Sequence, residues 1–227
     1  MHIYGFLVNT VTVIFGTGIG FFAGARLPDK IKRIIFLGLG LSTIAIGAQM
    51  ALNTKNLFLV VGSAVLGGII GQIIGIEEWL ENIGGRLKKK VGSSSSTFVL
   101  GFVTASLLFC TGPMTIVGSL EDGFAQKADL IYIKSLMDGA AAIALTASLG
   151  IGVIFSALIV FIVQGLLTGL GAILGNFISE IVLNEISAAG GLLILGIGFN
   201  MLTDARIPVG NFIPALGIIA ITAWLLI

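Results

Sequence analysis

The chain has 227 residues, of which 56% are hydrophobic and 10% charged, and its net charge is +1. Soluble domains carry charge on about a quarter of their residues, so this composition excludes one. The near-neutral balance, with no basic cluster interleaved with aromatics, also excludes a nucleic-acid surface.

No Lys or Arg precedes the first apolar run, and no small-residue cleavage site stands out. That run is therefore expected to be a retained helix and not a signal peptide. A membrane span needs about 20 apolar residues, which predicts eight, at roughly 4–25, 33–52, 57–76, 97–120, 131–149, 152–176, 186–203 and 209–227. The fifth and sixth are separated only by Gly150-Ile151-Gly152, where the chain must fold back. Segment 77–96 is the one long connection. Glu77, Glu78 and Glu81 followed by Arg86 and Lys88–Lys90 predict a short amphipathic surface helix, and Gly92 with Ser93–Ser96 a flexible tether. A plain solvated linker is the alternative.

Loop cations set the direction. Arg26, Lys30, Lys32 and Arg33 lie in the first loop, Arg86 and Lys88–Lys90 in the third, and Arg206 in the seventh. Only Lys55, Lys127 and Lys134 fall on the other side. The odd-numbered loops are thus expected in the cytoplasm, with both termini outside. The outer loops carry Glu121, Asp122, Asp129, Glu180 and Glu185, an acidic face.

The chain also matches itself without a gap at an offset of 151 residues, which places Gly20 on Gly171. Thr17 falls on Thr168, Gly24 on Gly175, Asp29 on Glu180, Gly40 on Gly191, Gly47 on Gly198, Gln49 on Asn200, and Ala64 on Ala215. Spans 1–3 match spans 6–8, an offset of five crossings, so the repeats are expected to be inverted. The expected fold is an all-α polytopic membrane protein of about eight spans. It comprises repeat 1 (1–76), a cytoplasmic segment (77–96), a central hairpin (97–150) and repeat 2 (151–227).

Gly16, Gly20 and Gly24, Gly67, Gly71 and Gly75, and Gly171 and Gly175 recur every fourth residue. In lipid such stripes let helices approach closely, and they also leave room for a homodimer. Span 4 contains Thr111-Gly112-Pro113-Met114-Thr115. Pro113 has no amide hydrogen and its ring clashes with the preceding turn, so the helix bends or breaks there. Carriers use such breaks to present carbonyls and half-helix ends to a substrate.

Asp138 follows Lys134 and Ser135 in span 5 and is the one carboxylate read as clearly inside a span. A charge there costs on the order of 3 kcal/mol unless paired, wetted or protonated. Lys134 stands one turn earlier on the same face, so either a structural ion pair or an acidic site for a cation or proton fits. Span 4 ends in a similar Ser119-Leu120-Glu121-Asp122-Gly123, which puts Glu121 and Asp122 at the mouth of the same candidate pathway. Gln49 and Asn200 are expected either to bond across the pseudo-twofold axis or to face a substrate. Asn9, Ser42, Thr43, Gln72, Ser156 and Gln164 are further intramembrane polar groups, uninformative singly.

The segments 110–123, Lys134–Gly139 and Gly190–Gly198 resemble the bacterial YdfK/YqgA-like membrane family, domain of unknown function 554, over about Gly5 to Pro214. The resemblance implies a transport protein without an established substrate, and it supplies no catalytic residues.

The expected function is secondary transport of a small solute or ion, the acidic mouth favouring a cation or zwitterion. Membrane lipids and the solute are the expected partners. A membrane scaffold, a lipid-binding protein and a channel are the alternatives. An enzyme is not expected, because Cys110 has no His partner and no paired acids sit deep in the bilayer. The lone His2 gives no metal constellation, no cofactor motif is present, and the phosphate-cradling loop of a primary pump is missing.

Overall fold

The computed structural model describes residues 5–124, 126–174, 179–203 and 206–226. The match of Gly24 to Gly175 ends on a residue outside them, and so does His2. Ten α-helices follow in order among the described residues: α1 (Gly5–Gly24), α2 (Asp29–Leu52), α3 (Leu57–Ile74), α4 (Ile76–Val91), α5 (Phe98–Cys110), α6 (Pro113–Phe124), α7 (Asp129–Leu149), α8 (Ser156–Leu174), α9 (Glu180–Leu202) and α10 (Pro214–Leu226). Short 3₁₀ turns at Ile151–Phe155 and Val209–Phe212 precede α8 and α10. Seven helices are long and apolar enough to cross a membrane, and an eighth span is counted when α5 and α6, bent by 56°, are taken as one. Large apolar side chains such as Phe22, Phe58, Leu136 and Ile173 are exposed, as a lipid-facing surface requires.

Local chemistry sets the boundaries. Asn56 caps α3 through its side chain, accepting from the Leu59 amide at 3.4 Å. Gly75, at φ +74°, ends α3 and lets α4 leave at once in a new direction. α4 is amphipathic, with Glu77 and Glu78 in its first turn and Lys88–Lys90 in its last, both favourable to the helix dipole. The span predicted over 97–120 is two helices, and the break coincides with Pro113. Pro113 has no amide to offer the Phe109 carbonyl, and the Thr115 hydroxyl donates to it instead at 2.7 Å; the Thr111 hydroxyl joins its own amide on the Leu107 carbonyl, at 2.7 and 3.0 Å.

Four helix pairs organise the bundle, one of them α6 with α8, where Gly171 abuts Leu120. α1 runs parallel to α7: Gly5 meets Ile131, Gly16 meets Gly139, Gly20 meets Ile143 and Gly24 meets Ala147. α2 and α9 run antiparallel, Gly40 against Gly198 and Gly47 against Gly191. α3 and α10 are also antiparallel, with Gly67 on Ala215 and the Asn211 backbone against Gly71. A Cβ on Gly20 would collide with the Ile143 carbonyl, and one on Gly171 with that of Leu120. Lipid tails offer no hydrophobic drive for association, so this backbone-to-backbone proximity supplies the dispersion contacts that hold the pairs. The apolar core gathers Val13, Phe102, Phe109, Leu145 and Val160 from α1, α5, α7 and α8. A second cluster joins Val60, Ile116, Leu120, Ile186 and Ile219.

Candidate functional site

α7 turns Leu136 and Met137 outward, while Lys134, Ser135 and Asp138 face the interior. The Lys134 ammonium donates to both Asp138 oxygens, at 2.8 and 2.6 Å. The amide of Asn9, from α1, donates to the same carboxylate at 2.8 Å. Lys134 and Asp138 are only 5% and 6% exposed, so the pair is withdrawn from solvent and its charges cancel in place. The expected pairing one helical turn apart is present. Ser135 is occupied locally, donating to the Ile131 carbonyl.

Several expectations for the surroundings need correction. Thr111 and Thr115 are buried beside the break, but their hydroxyls satisfy carbonyls of α5 and so do not extend the acidic site. Asp122 is fully buried, not at a mouth, and accepts the Gly5 amide at 2.8 Å, holding the start of α1. Glu121 beside it is half-buried. Gln49 is exposed, while Asn200 embraces Ile207, donating to its carbonyl at 2.7 Å and accepting its amide at 2.9 Å. These two amides therefore do not meet. Gln49 lies near the Gly47–Gly191 contact and Asn200 near the Gly40–Gly198 contact, at opposite ends of the crossing.

Asp138 is also not alone among buried acids. Glu185 is fully buried, because α9 begins at Glu180, a turn and a half before the expected start of span 7. Its carboxylate accepts the Thr54 hydroxyl and the Lys55 amide, and Asn184 donates to the Asn53 carbonyl at 2.9 Å. The start of α9 is thereby latched to the loop after α2.

At the end of the bundle where α4 lies, a cavity of 870 Å³ opens. Its polar lining includes Glu77, Glu81, Asn200 and Arg206, and its inner wall reaches Thr104 and Leu107 of α5. Leu107 is the residue whose carbonyl Thr111 caps, so the cavity stops one turn short of the helix break. Burial pushes the Glu77 carboxyl above its ordinary value; the hydrogen bond from the Gly210 amide opposes this and neighbouring Glu81 adds to it. No cluster of three metal-ligating side chains occurs among the described residues.

Apolar helices around a buried ion pair define a polytopic helical membrane protein. The chain belongs to the family described as "Protein of unknown function (DUF554)", which matches residues 4–224. It is similar to the uncharacterized membrane protein YdfK of Bacillus subtilis (strain 168), 30% identical over 218 residues, covering 94% of this chain and 92% of that protein. It is also similar to the uncharacterized protein YqgA of Escherichia coli (strain K12), 28% identical over 221 residues, covering 94% and 93%. No solved structure matches.

Proposed function

We propose that the chain is a secondary carrier for a small solute or ion, working by alternating access between two inverted three-helix repeats in a bacterial inner membrane. One observation carries this reading. A cavity open at the α4 end stops just below a broken helix, while the Lys134–Asp138 pair near the other end is sealed. That asymmetry is what one state of an alternating carrier requires. The loop cations support a cytoplasmic open end with both termini outside. Carboxylate and ammonium held together suit a cation that displaces Lys134, or a zwitterion that takes both partners.

The antiparallel crossing of α2 and α9 supports the inverted repeats. Gly40 and Gly47 become Gly191 and Gly198 under the internal offset, so the two glycine contacts exchange with one another. Such an exchange is what a twofold axis through the crossing would produce.

Thiol labelling from each side distinguishes a carrier from a static scaffold. In a Cys110→Ala background, Thr104→Cys is expected to react with a charged, membrane-impermeant reagent from the cytoplasmic side. Ser135→Cys, closed in this state, is expected to react slowly from the outside as the bundle alternates. A Ser135→Cys protein that never labels while Thr104→Cys does would contradict alternation.

A further inference from the structure

We infer that Gln164, Ser119, Thr168 and Asn9 line a site for the uncharged hydroxyl or amide groups of a small solute, beside the ion pair; the inference rests on the carrier reading above. Gln164 is fully buried, and neither atom of its amide has a hydrogen-bond partner. Ser119 and Asn9 are also fully buried and Thr168 is 4% exposed; both hydroxyls and the Asn9 Oδ1 lack partners as well. Buried polar groups are nearly always satisfied, and an exception calls for a ligand or a water.

These groups belong to one region. The Thr168 carbonyl lies against Gly123, and Gly171 against the Leu120 backbone, so α6 and α8 touch here. Both helices rise toward the same end: the turn before α8 packs on Phe98, at the start of α5, and the end of α6 holds Gly5. One turn back from Gly123 is Ser119, and one turn back from Thr168 is Gln164, which sets them at one level of the interface. α1 joins at that level, since Phe6 stacks edge-on with Phe161 at 5.4 Å and lies over Gly165. Asn9 is one turn further along α1, and its other amide atom is already bonded to Asp138.

The chemistry of the set selects the ligand. Its open atoms carry no charge, and the adjacent Lys134 and Asp138 neutralise each other. A metal cation would satisfy the oxygens and leave the Gln164 amide nitrogen without an acceptor. A molecule that donates and accepts at once satisfies both. A hydroxyl or carboxamide does this, and water shares the same chemistry at smaller size.

Thermal unfolding in detergent separates the cases, with glycerol and acetamide as neutral probes and sodium and choline as cationic ones. The neutral probes are expected to raise the Tm of the unsubstituted protein more than that of Gln164→Leu or Thr168→Val, the variants controlling for general solvent effects. Equal shifts in all three proteins, or a shift selective for the cations, overturn the site. A lower Tm for Gln164→Leu with no selective probe effect identifies bound water and overturns the solute assignment. A higher Tm for Gln164→Leu with no selective probe effect shows an amide left without purpose, and overturns it too. Selective shifts in a protein that transports nothing would keep this site and sink the carrier reading.

Discussion

Asp138 takes its donors from two helices, Lys134 one turn away on α7 and Asn9 on α1. The first partner was legible in the sequence because residues four apart share a helix face. The second was not, since no local pattern links positions 129 residues apart. The polar stretch around Ser179 has the composition of a connection and places Glu185 in a loop, whereas the Ser179 hydroxyl accepts the Val182 amide and starts α9 there. The pairing makes a quantitative prediction. Removing one member of a buried ion pair leaves the other uncompensated and costs about 3–5 kcal/mol. Asp138→Asn and Lys134→Met are each expected to lower stability by that order. The double substitution is expected to recover most of it, because it leaves no stranded charge. A double-mutant cycle by thermal unfolding reads the coupling, and additive losses would show that the two charges do not depend on each other.

Helix pairing depends on glycines whose spacing was legible and whose partners were not. Four-residue periodicity marked Gly20 and Gly171 as seams, but only the tertiary structure shows that they abut backbone of α7 and α6. Gly18 and Gly169 lie two residues before them and would place a Cβ in open space. Overpacking a tight contact costs roughly 1–3 kcal/mol. Gly20→Leu and Gly171→Leu are thus expected to unfold at lower temperature, with Gly18→Leu and Gly169→Leu close to the unsubstituted protein. Equal effects at all four positions would dissociate stability from these crossings. Pro113 forecast the break between α5 and α6, yet not its consequence. The Thr115 hydroxyl takes the Phe109 carbonyl that Pro113 leaves without an amide, so the break is sealed by its own residues.

At the scale of the molecule, two of the three helix pairs related by the internal offset, α2 with α9 and α3 with α10, pack against each other, while α1 packs chiefly on α7. The cavity at the α4 end could not be foreseen, because α4, α5, α9 and the Arg206–Val209 segment close around it only in three dimensions. The central claim is transport through a bundle whose ion pair takes part. It is tested by proteoliposomes loaded with a bacterial metabolite and ion extract, comparing the unsubstituted protein with the Lys134→Met/Asp138→Asn double variant and with protein-free vesicles. The account predicts that one solute class leaves the vesicles holding the unsubstituted protein and is retained by the other two. Identical efflux from the double variant, or no selective efflux at all, would contradict it.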